Sequence, residues 1–204
     1  MIKAEIHGIF PVPLYKSKLS RKFSKAELHF IEKMRAKSRP NMGNTTSSDS
    51  YILNRRSFLI LKKEIDLFIE DYFSKIIFAP KGVSPYITQS WLNYTEINEN
   101  HHPHHHPNSY LSGILYIAAD KDHDNVTFGR NDYNQISISP TKGNEFNSFL
   151  LSFPVETGEI LMFPANLMHS VGEKKGKNCR ISLSFNVFLK GNLGEVDNLN
   201  ELKL

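Results

Sequence analysis

Five of the nine histidines fall in one run, His101-His102-Pro103-His104-His105-His106-Pro107. Imidazole carries a proton near neutral pH, and when neutral it favours zinc, copper, iron or nickel over calcium or magnesium. The run therefore has two readings, a solvated polar loop or a metal site. It is no purification tag, being internal and broken by proline. In an extended segment residues two apart point to the same side, so His104 and His106 can reach one ion. Such a pair needs a third ligand brought by the fold. His169 is the candidate, at the end of Glu159-Ile160-Leu161-Met162-Phe163-Pro164-Ala165-Asn166-Leu167-Met168-His169, a strand followed by a loop. Further on, Arg180 opens a strand and Ser182 follows at two residues. On one strand face a guanidinium fork and a hydroxyl make a clamp for a carboxylate. The ordinary alternative for Arg180 is a surface salt bridge.

These groups need a rigid frame, and the two halves of the chain differ in texture. In the first half, Ser24-Lys25-Ala26-Glu27 fits a capping box and predicts a helix to about Lys37, closed by the turn residues Arg39 to Asn44. Leu59, Leu61, Ile65, Phe68, Ile69, Tyr72, Phe73 and Ile76 keep helical spacing and predict a second helix over Ser57–Phe78. The second half switches to short β-branched and aromatic segments between Gly, Pro and Asn. Expected strands are Tyr86–Tyr94, Ser109–Ala118, Val126–Phe128, Gln135–Ser139, Ser148–Pro154, Glu159–Phe163 and Arg180–Leu189. Such strands close into a sandwich or jelly roll with the helices on one outer face. From Arg180 to Val187 polar and apolar residues alternate strictly. In a jelly roll backed by helices, Ile181, Leu183, Phe185 and Val187 meet the helices, while Arg180, Ser182, Ser184 and Asn186 line the interior. The expected organisation is one domain over 1–204: helical support to residue 85, a jelly-roll core over 86–190 and a C-terminal tail.

The 204 residues carry a formal charge of +4 spread through the chain, which permits nucleic acid as a partner without demanding it. A single cysteine, Cys179, forms no internal disulfide and suits a reducing compartment such as the cytoplasm. Its parity opposite to Arg180 favours burial over reactivity. The N-terminus lacks the apolar core of a secretory signal, and Leu111 to Ala119 is half the length of a membrane span. The sequons at Asn44, Asn93 and Asn125 are then chance matches. Trp91 reads first as core and second as a substrate platform. Lys174-Lys175-Gly176-Lys177 reads as a solvated hairpin tip, or as a rim that attracts an anionic substrate.

The ordered set His104-x-His106-Pro107-Asn108-Ser109, Leu111-Ser112-Gly113-x-x-Tyr116, Phe163-Pro164, His169 and Arg180-Ile181-Ser182-Leu183-Ser184-Phe185-Asn186 resembles a group of 2-oxoglutarate- and iron(II)-dependent oxygenases found in phages and marine bacteria. Gly8 to Tyr15 and Ser90-Trp91-Leu92-Asn93 extend the likeness over nearly the whole chain. The resemblance implies a mainly β, cupin-like double-stranded β-helix that binds Fe(II), 2-oxoglutarate and O2. It implies His104, His106 and His169 as iron ligands, and Arg180 with Ser182 on the distal carboxylate of 2-oxoglutarate. Tyr116 would add a hydroxyl to that pocket, and Asn108 would orient one of the histidines. The implied reaction is a hydroxylation coupled to release of succinate and carbon dioxide. Its substrate would be a small molecule or a side chain, and the chain could act as a homodimer. One departure stands out: most enzymes of this superfamily place Asp or Glu where His106 stands. Glu96, Glu99, Asp120, Asp122 and Asp124 are nearby carboxylates that could substitute. A three-histidine cupin-like metalloenzyme without 2-oxoglutarate and a non-catalytic β-sandwich module are the competing readings.

Overall fold

The computed structural model describes residues 2–130, 136 and 138–204. Two antiparallel sheets face each other. The larger contains, in chain order, β1 (Tyr15–Lys18), β2 (Ser38–Pro40), β3 (Thr45–Ser47), β4 (Ser84–Thr95), β6 (Leu111–Ala118), β9 (Glu159–Pro164) and β11 (Arg180–Lys190). Their spatial order is β1-β9-β6-β11-β4-β3-β2. The smaller sheet has the order β5-β10-β7-β8, from β5 (His101–His104), β7 (Asn125–Gly129), β8 (Leu150–Pro154) and β10 (Met168–Val171). A two-stranded tail hairpin pairs β12 (Asn192–Leu193) with β13 (Leu202–Lys203). This is the mainly β jelly roll, with helices on the outer face, that the alternation in the second half predicts.

Helix α1 (Lys25–Arg35) starts at the expected capping box: Glu27 N–H donates to Ser24 Oγ at 3.2 Å, and Ser24 N–H donates to the Glu27 carboxylate at 2.6 Å. Helix α2 (Leu59–Tyr72) follows two short 3-10 turns and ends through a π turn over Phe73–Ile77. Phe78, in the left-handed region at φ 51°, stops it.

Parity in β11 decides where the core sits. Ile181, Leu183, Phe185 and Val187 pack with Leu92, Tyr94, Leu115 and Ile160 of the neighbouring strands against Ile31, Leu61, Ile65 and Ile69 of the two helices. The opposite faces of β6 and β9 give Tyr116, Leu161 and Phe163, which close on Val126 and Phe128 of β7 between the sheets. The larger cluster holds the frame rigid, and the space between the sheets that the smaller cluster leaves open is lined by a mixture of polar and apolar side chains. Gly113 of β6 is required by this packing, because a Cβ there would lie 2.0 Å from the Phe185 ring.

Three features depart from expectation. The first 85 residues contribute β1, β2 and β3 to the larger sheet besides their helices. The first four residues of the histidine run and the segment around His169 are strands, β5 and β10, rather than loops. Pro103 lacks an N–H and is tolerated because β5 is an edge strand. Of the strand expected over Gln135–Ser139, residues 135 and 137 lie outside the described residues, and Ile138 and Ser139 are not in a strand. No helix among the described residues is long and apolar enough to cross a membrane.

Candidate metal and anion site

Antiparallel pairing of β10 with β5 sets His169 directly opposite His104. His106 lies just beyond β5, where its backbone N–H donates to Ala165 O at 2.9 Å and ties this turn to the β9–β10 connection. The three ring centroids are 4.3, 5.1 and 5.2 Å apart, and one ring nitrogen from each side chain falls within 4.8 Å of the others.

Backbone carbonyls fix two of the tautomers. His104 Nδ1 lies 2.8 Å from His102 O and His169 Nδ1 lies 3.0 Å from Leu167 O. A carbonyl only accepts, so both Nδ1 atoms carry the proton and both Nε2 atoms keep a lone pair for a ligand. His106 Nε2 stands 3.4 Å from His169 Nε2, close enough for the Nε2–H of a neutral His106 to donate to the His169 lone pair, or for one ion to take both nitrogens. Burial, reinforced by the neighbouring His104, pushes His169 down to about 3 and His106 to about 4, and burial lowers His104 too. All three rings are therefore in the neutral, ligating form at pH 7.

Arg180 is 4% exposed, which removes the surface-salt-bridge reading. Its Nη2 donates to Thr95 Oγ1 at 3.0 Å, and Nη1 lies 3.9 Å from Asp124 Oδ1. That carboxylate is occupied elsewhere: Lys174 Nζ donates to Oδ1 at 2.9 Å and the Asp120 N–H donates to Oδ2 at 2.8 Å. Lys174 also donates to Asn178 Oδ1 at 3.1 Å. The expectation of a solvated Lys174 is thus corrected, since its ammonium is 0% exposed. The physical reason lies in the backbone: Lys174 N–H donates to Glu99 O and Asn98 N–H to Lys174 O, which folds the connection down over the end of the sheet. Two buried cations share one buried anion, leaving a net positive charge beside the cavity.

The cavity between the sheets is lined by the three histidines, Arg180, Ser182 and Tyr116 together, with Ser182 paired to Tyr116 on one side and Asn93 on the other. Burial raises the Tyr116 hydroxyl well above the ordinary tyrosine range. Asn108 does not take part. It is exposed in a left-handed turn at φ 57°, it is not in the cavity wall, and the rings of His104 and His169 are oriented by carbonyls instead. Among the described residues no carboxylate joins the three rings. Glu96 pairs with Arg35, Glu99 accepts from the Glu96 N–H, Asp120 holds His123, and Asp124 holds Lys174. His101 and His102 form a second group with His104, the His101 ring stacked on that of His104 at 4.5 Å.

Two further residues join the wall, one read first as core and one given no role by the sequence. Trp91, expected in the core, belongs to neither apolar cluster and lines the cavity, its ring 5.6 Å from that of His106. Asn93 lies two residues on and also faces inward. Alternation in β4, with Trp91, Asn93 and Thr95 against Leu92 and Tyr94, is the signal that would have found both. Asn44 and Asn93 are buried and unsuited to carry a glycan. Burial, aided by Glu96, pushes the Cys179 thiol up to about 12. At pH 8 the native protein is expected to react with iodoacetamide at least about tenfold more slowly than the urea-unfolded chain, since the thiolate is the nucleophile. Equal rates, followed by mass spectrometry, would contradict that burial.

A family model described as "Putative 2OG-Fe(II) oxygenase" matches residues 89–186, the span from β4 to β11 that builds the cavity. No curated protein matches the chain. Among solved structures, an oxidoreductase of the 2OG-Fe(II) oxygenase family from Burkholderia pseudomallei is 15% identical, with a TM-score of 0.56 over 84% of this chain and 83% of that one. The non-heme alpha ketoglutarate dependent epimerase SnoN from nogalamycin biosynthesis is 14% identical, with a TM-score of 0.64 over 88% and 79%. A prolyl hydroxylase from Trichoplax adhaerens is 9% identical, with a TM-score of 0.60 over 86% and 83%. At such identities the likeness establishes the fold, a double-stranded β-helix. The family match adds support for a 2-oxoglutarate and iron oxygenase.

Proposed function

We propose that this chain is an Fe(II)- and 2-oxoglutarate-dependent dioxygenase that hydroxylates an organic substrate, within the phage and marine-bacterial group whose motif order it resembles. The observation that carries the reading is the meeting, in one cavity, of three neutral imidazoles and a buried guanidinium whose charge is only partly cancelled. In this reading His104, His106 and His169 hold the iron, and Arg180 with Ser182 holds the distal carboxylate of 2-oxoglutarate. Tyr116 contributes its hydroxyl to that end. The donor set fits: borderline ferrous iron accepts imidazole nitrogen, and a dicarboxylate fits a site with surplus positive charge. When bound, iron and 2-oxoglutarate supply an oxidant from dioxygen, with succinate and carbon dioxide as co-products. The protein's own part is orientation and exclusion of water. Carbonyls of His102 and Leu167 fix two rings, and Phe163 and Phe128 back His169 at 4.8 and 6.3 Å. With His106 in place of a carboxylate the site keeps one more positive charge, which weakens iron binding and raises its reduction potential. A reducing compartment, where ferrous iron and the lone thiol both persist, suits this reading.

Anaerobic titration with iron and 2-oxoglutarate tests it. The expected result is a visible metal-to-keto-acid charge-transfer band in the wild type. Arg180→Ala is expected to raise the Kd for 2-oxoglutarate by about 100-fold, the loss of a bidentate charged contact of about 3 kcal/mol. The all-histidine donor set favours one other reading, a metalloenzyme that uses no keto acid. That enzyme would show no band, and its activity would survive Arg180→Ala.

A further inference from the structure

We infer that His101, His102 and His104 form a second, outer site for a divalent transition-metal ion, and that an ion held there passes into the triad, with His104 common to both positions. The inference rests on the three-imidazole metal centre of the reading above and needs no keto acid.

One ring nitrogen from each of the three side chains lies within 4.8 Å of the others, the same spacing as in the triad. The ring centroids are 4.5, 4.9 and 5.3 Å apart, against 4.3, 5.1 and 5.2 Å among His104, His106 and His169. In a regular strand His101 and His104, three residues apart, point to opposite faces. Here β5 takes three steps from His101 to His104 where β10 takes two from Val171 to His169, and this break in register brings both rings to one side. The His101 ring is thereby stacked on that of His104 and lines the cavity.

Burial and hydrogen bonding order the two positions. The three outer residues are all half-buried, while His169 is 4% exposed, so an ion from solvent meets the outer rings first. His102 Nδ1 lies 3.3 Å from Met42 O and His101 Nε2 lies 3.4 Å from Asn41 Nδ2, whereas the carbonyls that fix His104 and His169 stand at 2.8 and 3.0 Å. The less firmly oriented donor set binds an ion more weakly, and transfer inward is downhill. A neutral imidazole has one nitrogen lone pair, so His104 serves one ion at a time. Transfer is then an exchange of ligands on a single ion: its bond to His104 stays, those to His101 and His102 break, and those to His106 and His169 form. With imidazole as the donor throughout, the ions taken are of the iron, cobalt, nickel and zinc class rather than calcium or magnesium.

Trp91 is the sole tryptophan in the chain and its ring lies 5.6 Å from that of His106, so cobalt(II) arriving at the triad quenches its fluorescence. The experiment mixes metal-free protein with cobalt(II) in a stopped flow, follows release into a chelator, and takes Kd from equilibrium dialysis. His102→Ala removes an outer ring and keeps the backbone carbonyl that orients His104, and His101→Phe keeps a ring against His104 without its nitrogens. In each variant uptake and release are both expected to slow by about tenfold with Kd within about twofold of the wild type, because removing a route acts equally in the two directions. In His169→Ala, adding His102→Ala is expected to weaken the remaining weakly held ion by about tenfold or more. Unaltered uptake in both single variants would overturn the inference, since ions would then reach the triad another way. A weakened Kd at unaltered uptake would also overturn it, by making the outer rings mere supports of the triad. Absence of 2-oxoglutarate binding to the cobalt-loaded protein strikes the oxygenase reading and leaves the uptake comparison standing.

Discussion

In His169→Ala, affinity for iron or nickel is expected to fall by about 100-fold or more, with activity lost in proportion. Removing a group that merely supports a ligand typically costs 10- to 100-fold, and losing the ligand itself exceeds that. The argument is geometric. His104 and His106 come from one stretch of chain, and only the pairing of β10 with β5 adds a nitrogen from a remote segment. Without it His104 and His106 remain of the triad, alongside the His101, His102 and His104 group on the same strand, of which His101 also lines the cavity. Weak binding by that group should survive, so the measurement is stoichiometry and Kd by equilibrium dialysis rather than metal content at saturation. The fold should persist. His169 is 4% exposed against Phe163 and Phe128, and truncation there falls within the ordinary range of about 1–3 kcal/mol, visible as a modest fall in Tm. A variant that kept one tightly held ion would show the histidine run acting alone and would end the case for a three-ligand centre.

How far this arrangement could be read from the sequence depends on which physical signal each part leaves. The His104 and His106 pair and the Arg180 and Ser182 pair were legible because residues two apart in an extended chain share a side, whereas His169 could be named only as a ligand for the fold to bring, on the order of motifs along the chain. The jelly roll was legible for the same reason, since alternation in β11 separates a helix-facing side from a cavity-facing one. The strands β5 and β10 left no such trace. They are four residues each, one is mostly histidine, and their pairing is specified by partners distant in sequence. Strands β1 to β3 are three or four residues long and polar, so local pattern could not separate them from loops. Lys174 was misread because charge runs are normally solvated, and its burial is decided by Asp124, fifty residues earlier. Asn108 sits close to the ligands in sequence, yet a left-handed turn carries its side chain out to solvent.

That misread lysine gives the second large effect. Lys174→Met is expected to lower stability by about 3–5 kcal/mol, because it strands a carboxylate with no exposure. For a chain of this length that is a fall in Tm of about 6–20 °C. Loss of stability alone would say little about function, and the discriminating consequence concerns charge. Lys174 and the Asp120 N–H hold both oxygens of Asp124, which keeps the Arg180 guanidinium at 3.9 Å instead of in contact. Once Lys174 is gone, Asp124 has Arg180 as its remaining cation, the guanidinium turns toward it, and the surplus positive charge beside the cavity disappears. The Kd for 2-oxoglutarate should then rise by about tenfold or more while the Kd for metal holds, because the histidines lie on other strands. Asp124→Asn removes the anion instead of a cation. It should also lower Tm, yet tighten 2-oxoglutarate, since two cations then face the ligand unopposed. The double variant restores a single buried charge on Arg180 and should return the Kd toward the wild-type value. Opposite shifts in the two single variants, and their cancellation in the double, follow from charge balance around Arg180. A role confined to holding the connection in place would shift both singles the same way, and calorimetric titration of 2-oxoglutarate into the nickel-loaded proteins separates the two.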